Sequence, residues 1–391
     1  MRVIPAIVIL LLAALACRQG ASAARDDVLP PPRPPGAPRA GLSAVELRRF
    51  NAGRALFDKV FTPEEGLGPA FNENQCSACH TVPASGGTTG FERIIKATRF
   101  IPPDRCDLLV ASGGENVRKQ ATPLLRARGI EREPVPVQAT EVDRVLPPPL
   151  FGLGLVEAIA AESIARRADP EDADRDGISG RPGRTADGRL ARFGSKAEFA
   201  TIREFVEGAL RLEMGLTSPR QPEEPRVRGR PAPAGTDPVP EPEVSQTIVD
   251  LLTDFVRLLA PPAPAPPRSP AHRDTVARGA ALFTSLGCAA CHTPAMPTAD
   301  GHEVGLYSDL LLHDMGPRLA GVCGPVATPR EIRTQPLMGL RHRTRFLHDG
   351  RTNDLREAIR AHGGEAERVR HTYDALPWLR QEQLVIFLQT L

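Results

Sequence analysis

The sequence is poor in aromatic residues and has no excess of one charge. Phe, Tyr and Trp make up 4% of its 391 residues, and a single Trp is present. The 49 basic and 47 acidic side chains leave a formal net charge of +2. Such a balance does not provide the basic surface that nucleic-acid binding requires. We therefore expect no nucleic-acid partner and no large aromatic core.

Two further absences indicate the fold class. Almost no segment alternates polar and apolar residues with a period of two, so strands are not expected and the chain is predicted to be mainly α-helical. The 41 prolines are dense in residues 25–42 and in residues 218–243, where they favour extended connections. The chain length is sufficient for two domains of ordinary size.

The long apolar run is confined to residues 1–24, which have the pattern of an export signal. Arg2 precedes the run, and Ala21-Ser22-Ala23 forms a small-residue cleavage site. The run is too short to cross a membrane as a stable helix. Cys17 offers an alternative, because a lipidated cysteine there would anchor the protein to lipid. We expect a periplasmic protein, with lipidation at Cys17 as the open alternative.

Two CxxCH motifs carry the clearest chemical signal. Two thiols three residues apart can bond to both vinyl groups of one haem, and the adjacent His then lies beneath the iron. A zinc site would need four clustered ligands, and a redox dithiol needs no following His. The motifs therefore predict two covalently bound haems c, one at Cys76, Cys79 and His80 and one at Cys288, Cys291 and His292.

A short repeat precedes each motif. Gly53-Arg54-Ala55-Leu56-Phe57 precedes the first, and Gly279-Ala280-Ala281-Leu282-Phe283 precedes the second. We predict one cytochrome c-like domain for each haem, with long Pro-rich loops. The predicted parts are a signal at 1–24, a Pro-rich tether at 25–42, a first haem domain at 43–217, an insert at 218–243 and a second haem domain at 244–391.

The ligand on the other side of each iron decides its chemistry. His80 is the only His before His272, and Met214 is the only Met left in the first half after export. The first iron is therefore either His/Met or open to a small molecule. For the second iron, spacing alone cannot choose among His302, His313, His342, His348, His362, His371, Met296, Met315 and Met338.

Two cysteines lie outside the motifs and the signal. In an oxidising compartment Cys106 and Cys323 can form a disulfide. Two separate buried thiols are the alternative, and the sequence leaves the choice open.

Several longer motifs resemble those of one bacterial family. From Phe71 to Leu391, apart from the insert, the chain is similar to the di-haem oxidoreductases, which are described both as peroxidases and as thiol oxidoreductases. It is more distantly similar to di-haem cytochrome c peroxidases and to the di-haem enzyme of the methylamine pathway. The motifs are FGLGLVEAI at 151–159, DRDGISGR at 174–181, EMGLT at 213–217, YSDLLLHDMG at 307–316 and FLHDGR at 346–351.

The resemblance implies a ligand for the second iron. In the relatives this ligand lies fourteen residues after the His of a His-Asp-Gly turn, and counting from His348 leads to His362. An iron between His292 and His362 is closed to substrates and suited to electron transfer. Met338 is a competing ligand, because the relatives tend to carry Trp at its position.

The resemblance also implies a catalytic residue at the first haem. In the relatives a distal Glu precedes a Met and lies seventeen residues after the Arg of a Trp-Asp-Gly-Arg turn. Counting from Lys196 leads to Glu213, which precedes Met214. A carboxylate over an open iron can move a proton between the two oxygens of a peroxide. The competing interpretation is that Met214 itself closes the iron.

Asp172, Asp174 and Asp176 precede Gly177 with the spacing of a calcium loop. Related enzymes bind calcium between their haems, whereas the twelfth position here is Gly183 rather than Glu. A Ca²⁺ site and a solvated acidic turn are both open. Arg181 and Arg351 are candidate partners of the haem propionates.

These expectations converge on an exported di-haem oxidoreductase. The expected reaction is peroxide chemistry at the first haem, on hydrogen peroxide or another small oxidant, with electrons passing through the second haem. The electron donor would be a small cytochrome or a cupredoxin. The alternatives are a di-haem electron-transfer cytochrome without catalysis and an oxidase of thiols or of a partner protein.

Overall fold

The first helix begins where the sequence supplies a capping box. The side chain of Ser43 accepts the Glu46 backbone N–H, and the Glu46 carboxylate returns to Ser43, which fixes the start of the first helix. The computed structural model describes residues 33–90 and 94–391. Its α-helices are α1 Ala44–Phe57, α2 Cys76–Cys79, α3 Pro123–Arg126, α4 Leu153–Ala158, α5 Ala161–Ala165, α6 Ile202–Met214, α7 Gln246–Leu258, α8 Pro270–Ser285, α9 Leu355–Ala361, α10 Glu367–Asp374 and α11 Trp378–Leu388.

Short antiparallel strands fill much of the space between the helices. The longest strand, β2, pairs with β3, β4 and β6 in a four-stranded sheet, and the other sheets are two-stranded. The prediction of a mainly helical chain was therefore incomplete. The strands are β1 Ala70–Phe71, β2 Ile94–Ile101, β3 Arg105–Asp107, β4 Asn116–Val117, β5 Gln120–Ala121, β6 Glu141–Val145, β7 Gly183–Arg184, β8 Leu190–Ala191, β9 Met296–Pro297, β10 Glu303–Val304, β11 Leu312–Asp314 and β12 Glu331–Arg333.

The repeated glycine lets a helix cross its partner closely at both haem motifs. In α1, a Cβ on Gly53 would lie 2.0 Å from the backbone oxygen of Leu251 in α7. In α8, a Cβ on Gly279 would lie 2.1 Å from the backbone oxygen of Gln383 in α11. Both distances are impossible for real carbon atoms, so each crossing requires glycine.

The phenylalanine that ends each repeat packs between the crossing helix and the motif histidine. The ring centroid of Phe57 lies 4.8 Å from that of Phe255 and 6.1 Å from that of His80. The ring centroid of Phe283 lies 5.5 Å from that of Phe387 and 6.4 Å from that of His292. The repeat therefore builds the same apolar support behind both histidines.

Helix α7 packs with the first haem motif although it follows the insert. Its Phe255 and Leu252 belong to the same buried core as Phe50 and Phe57 of α1. The sequence had assigned this segment to the second domain, at 244–391. Residues 32–391 form one compact unit. The second core, around Phe283, is formed by α8, α11 and their neighbours.

Part of the predicted tether is hydrogen-bonded to the end of α7 and to the residues just after it. The Arg39 N–H donates to the backbone oxygen of Leu258 (2.8 Å), and the Ala260 N–H donates to that of Ala37 (2.9 Å). The predicted signal at 1–24, Cys17 and the start of the tether lie outside the described residues. No helix within residues 33–90 and 94–391 combines the length and apolarity needed to cross a bilayer.

Cys106 and Cys323 are joined by a disulfide bond. It links strand β3 to a buried loop of the second half across a sequence separation of 217 residues. Of the two alternatives that the sequence left open, the bridge is the one present.

Candidate haem sites

The first CxxCH motif forms a single helical turn that orients its histidine. The His80 N–H donates to the backbone oxygen of Cys76 (3.1 Å). The side-chain Nδ1 lies 3.0 Å from the backbone oxygen of Gly87, so Nε2 is the nitrogen left for a metal. Burial lowers the pKa of His80, which favours the neutral imidazole that metals bind.

The second motif repeats this arrangement. The His292 N–H donates to the backbone oxygen of Cys288 (2.9 Å), and Nδ1 of His292 lies 3.1 Å from that of Tyr307. Burial, with a contribution from His362, lowers the pKa of His292 to about 4. Its imidazole is therefore neutral at physiological pH and available as a ligand.

The motif thiols do not have the properties of a redox dithiol. Burial raises the pKa of the Cys76 thiol to about 12 and that of the Cys288 thiol to about 11. Reactive CxxC pairs depend on a lowered thiol pKa. The environment therefore favours haem attachment over thiol exchange at both motifs.

His292 and His362 face each other at the second site. Their ring centroids are 6.4 Å apart. Nδ1 of His362, at the end of α9, lies 2.8 Å from the backbone oxygen of Ala358, which leaves its Nε2 for a metal. An iron ~2 Å from each ligand nitrogen would separate the ring centroids by about 6 Å. The pair therefore fits the two sides of one haem iron.

The two methionines that the sequence offered as alternative iron ligands both line a cavity beside His80. Met214, at the end of α6, is buried there. Met338 lines the same cavity, where a Cβ on Gly152 would lie 2.5 Å from its Cε. Met214 is thus placed to compete for the first iron, and Met338 as a ligand of the second iron stays a prediction.

A large cavity opens beside His80. We call it the first cavity; it encloses about 230 Å³. A single water needs only ~10–15 Å³ of such space, so a much larger group fits. Its wall includes Cys76, Cys79 and His80. Apolar side chains from α1, α6, α7 and two loops complete it: Phe57, Phe205, Leu210, Val256, Phe151 and Phe193.

Glu213 faces the first cavity and is held by two amides. Nδ2 of Asn116 donates to Oε1 (2.6 Å), and Nδ2 of Asn72 donates to Oε2 (2.8 Å). Burial raises the pKa of the Glu213 carboxyl, and the two amide hydrogen bonds oppose this shift. The group is therefore oriented within the cavity, and its protonated form is favoured more than in an exposed glutamate.

Lys96 connects Glu213 to two further carboxyl groups. Its Nζ lies 3.6 Å from Oε1 of Glu115 and 3.7 Å from Oε1 of Glu198. Burial alone would lower the pKa of Lys96, but the carboxylates of Glu115, Glu198 and Glu213 hold it above its ordinary value. Burial raises the pKa of Glu115. One ammonium among three buried carboxyl groups favours the retention of a proton in the cluster.

His313, one of the ligand candidates, has both ring nitrogens in use. Nε2 lies 2.8 Å from Oδ2 of Asp309, and Nδ1 lies 2.6 Å from Oε2 of Glu365. Burial alone would lower the pKa of His313, but these carboxylates and the Cys291 sulfur, 3.7 Å away, raise it to about 12. His313 is therefore a buried cation beside the second haem motif.

The structure brings two of the three predicted calcium ligands together. Carboxylate oxygens of Asp172 and Asp174 lie within 4.8 Å of each other and of Asp169, which replaces Asp176 in the group. Asp172 Oδ1 accepts the Gly177 N–H (3.1 Å), so part of its capacity is used within the loop. Calcium binding stays a prediction here.

Sequence reasoning missed Asn72, Asn116, Lys96, Glu115 and Glu198. Four of them lie on or beside strands far from Glu213 along the chain, and Glu198 lies between β8 and α6, so no spacing pattern connects the group to Glu213. The only signal was the position of Asn72, Glu115 and Asn116 in polar segments of the sequence, which is not specific.

Two histidine-centred sites, each built on a CxxCH motif, define a class of protein with two haem centres. Residues 142–391 match the family model described as "Di-haem oxidoreductase, putative peroxidase". This match spans more than half of the sequence, and the chain belongs to that family. It includes Glu213 and the second motif and begins after the first motif.

Several solved structures are similar to this chain at low identity. The diheme peroxidase BthA from Burkholderia thailandensis E264 is 16% identical, with a TM-score of 0.45 and coverage of 88% of this chain and 86% of that chain. Hydrazine synthase of Kuenenia stuttgartiensis is 14% identical, with a TM-score of 0.44 and coverage of 99% and 100%.

A third similar structure is a MauG-like protein associated with microbial copper homeostasis. It is 14% identical, with a TM-score of 0.39 and coverage of 93% of this chain and 92% of that chain. No curated protein matches the chain.

Proposed function

We propose that this protein is an exported di-haem c-type oxidoreductase that reduces hydrogen peroxide at the first site. Two electrons and two protons convert one hydrogen peroxide into two waters. The electrons come from a donor protein, such as a small cytochrome or a cupredoxin, through the second site. The observation that carries the proposal is the Glu213 carboxyl, which lines the same cavity as His80 and is oriented by two amides.

The residues of the first site have distinct tasks in this proposal. A haem held by Cys76, Cys79 and His80 supplies the electron-transfer chemistry that cleaves the oxygen–oxygen bond. Oε1 or Oε2 of Glu213 accepts a proton from one peroxide oxygen and returns it to the departing oxygen. Asn72 and Asn116 keep the carboxyl aimed into the cavity, which removes the orientational cost of this transfer.

Both protons that the reaction adds must come from elsewhere, because Glu213 only moves the peroxide's own proton between its two oxygens. Lys96 and Glu115 lie next to Glu213 in a cluster that favours a bound proton. Buried groups that hold a proton next to Glu213 can pass it on to this carboxyl. We assign Lys96 and Glu115 to positioning and proton supply rather than to contact with peroxide.

The second site is suited to electron transfer only. An iron held by both His292 and His362 would have no position left for a small molecule. Hydrogen bonds from Nδ1 of each ring to a backbone oxygen fix both rings and reduce the reorganisation that a change of redox state requires.

Replacement of Glu213 by Gln tests the assignment. Peroxide turnover of the holoprotein should fall by ~10²- to 10⁴-fold, because the amide cannot take up the proton. Both haems should remain attached. The matched control is Glu207→Gln, which changes a buried glutamate of the same helix that does not line the first cavity. Unchanged turnover in Glu213→Gln would remove this residue from the mechanism.

A second candidate function is electron transfer without catalysis, and the position of Met214 favours it. Met214 lines the first cavity and could complete a His/Met iron. The electron paramagnetic resonance spectrum of the oxidised holoprotein separates the two functions. One high-spin and one low-spin ferric signal indicate an open first iron and a peroxidase. Two low-spin signals in the oxidised protein, with no high-spin signal appearing on partial reduction, indicate an electron carrier.

A further inference from the structure

Two arginines in the wall of the first cavity have no acidic partner. Arg333 is 6% exposed, and its Nε and Nη1 donate to the backbone oxygens of Gly194 (2.8 Å) and Thr334 (3.0 Å). Nη2 of Arg343 donates to the backbone oxygen of Pro336 (2.6 Å). Both side chains line the cavity beside His80.

The remaining N–H groups of these arginines are not satisfied by acids. Throughout the described ranges, no carboxylate lies within ion-pair distance of Arg333 or Arg343; Glu198 and Asp309 act on Arg333 only from farther away. Nε of Arg343 is buried and has no hydrogen-bond partner in that part of the chain. Burial lowers the pKa of both guanidinium groups to about 10, so both remain charged at neutral pH.

The arginines suggested by the sequence are already neutralised. Arg181 pairs with Glu331 at 2.5 Å, and Arg351 pairs with Asp349 at 2.6 Å. A third arginine in the cavity wall, Arg192, donates from Nη1 to the backbone oxygen of Ile159 (2.6 Å) and lies near acidic side chains. Arg333 and Arg343 therefore differ from Arg181 and Arg351 in lacking an ion-paired carboxylate. Arg192 shares this lack within the described residues, but its Nη1 lies within hydrogen-bond distance of three backbone oxygens at the end of α4.

Charge balance indicates what fills the space in front of them. A buried charge without a partner is costly. The carboxylates of the same wall are held by other groups, Glu115 and Glu198 by Lys96 and Glu213 by two amides. An anionic group that enters the cavity would therefore be favoured beside the two arginines. Haem is such a group, because its edge carries two propionate carboxylates. Guanidinium groups bind carboxylates through paired hydrogen bonds, and both arginines have N–H groups left for this contact.

We propose that Arg333 and Arg343 bind the propionates of the haem at the first site. The inference rests on the haem-attachment part of the proposed function and is independent of peroxide reduction. The two guanidiniums, supplied by the second half of the chain, hold the haem edge in place and keep its propionates ionised. They also raise the midpoint potential of the first haem by offsetting this negative charge.

A redox titration of the holoprotein, followed by electron paramagnetic resonance, tests the proposal. In Arg333→Gln and Arg343→Gln, the reduction equilibrium constant of the first haem should fall about tenfold, which is ~59 mV for one electron. The potential should also become dependent on pH between about 5 and 8, because the propionate pKa rises when its cation is removed. Arg181→Gln is the matched control and should change neither quantity.

Two results would overturn the proposal. One is a first-haem potential and pH dependence equal to wild type in both Gln variants, and the other is a shift confined to the second haem. If a Gln variant does not retain both haems, Arg343→Lys keeps the charge but loses the paired contact. Its propionate bands in the resonance Raman spectrum should move, and unmoved bands would also overturn the proposal. None of these measurements depends on peroxide turnover.

Discussion

At the residue scale, His313 is a buried cation between two acids. Its replacement by Leu leaves Asp309 and Glu365 buried without a counter-charge. The loss of one partner from such a group costs about 3–5 kcal/mol of unfolding free energy. Chemical denaturation of the holoprotein checks this value. His371→Leu, which changes an exposed histidine, is the control and should have little effect.

The stabilisation by His313 should depend on pH in a defined direction. Its pKa is raised from 6.5 to about 12 by the folded structure. The stabilisation is therefore complete below pH 6.5 and is lost as pH rises towards 12. The difference in denaturation midpoint between wild type and His313→Leu should shrink steadily above pH 6.5. A difference that grows with pH would contradict the assignment.

Asn116 should set the pH range in which Glu213 works. Its amide hydrogen bond opposes the raised pKa of Glu213, so Asn116→Ala should raise that pKa further. The acid limb of kcat/KM for peroxide should then move to higher pH. Asn353→Ala, an exposed asparagine, is the control. An acid limb that stays in place would show that Asn116 does not act on Glu213.

Some site residues were predictable and others were not, for a physical reason. The CxxCH spacing is dictated by covalent chemistry, so Cys76 and Cys288 could be identified from sequence alone. Glu213 and His362 followed from counting along helices in relatives. Asn116 and Lys96 reach the cavity from strands that are paired by backbone hydrogen bonds. No local sequence pattern predicts where such strands meet. The choice between Arg181 and Arg343 required knowledge of their acidic neighbours.

At the scale of elements, the glycine crossings should be intolerant of any side chain. Gly279→Ala would place a carbon 2.1 Å from the Gln383 backbone oxygen, so α8 and α11 must separate. Overpacking of this kind costs about 1–3 kcal/mol, and the melting temperature should fall in proportion. Gly53→Ala should behave in the same way. Gly305→Ala, where the nearest atom is 4.0 Å away, is the control.

The proposed calcium loop makes a separate prediction. Calcium should raise the melting temperature of the holoprotein by several degrees, because a ligand that binds only the folded state stabilises it. A chelator should reverse this effect, and Asp172→Asn should abolish it. Equal melting temperatures with and without calcium would leave the acidic turn as the correct interpretation of this loop.

Helices were predicted better than strands because their signals are local. The capping residues Ser43 and Glu46 stand at the start of α1, and the side chain of Ser245 caps α7, which spans Gln246–Leu258. The shortest strands contain only two residues, too few for an alternating pattern to appear. In β2, the buried positions do not alternate, since its neighbours lie on both sides.

At the scale of the whole molecule, the disulfide holds distant parts together. Cys106→Ser with Cys323→Ser should destabilise the protein by up to about 5 kcal/mol, the chain-entropy value for a loop of this length. Denaturation of the double variant and of the wild type without reductant measures the difference. If the two curves coincide, the bridge is dispensable for stability.

The packing of α7 determines where this protein can be divided. A chain cut within residues 218–243 would separate Gly53 and Phe57 from α7, the helix on which they pack. A chain cut within the prolines that follow Ala260 would keep that helix with the first haem motif. In the sequence the Pro-rich insert looks like a hinge between two halves. In the structure it is therefore a loop within the first half.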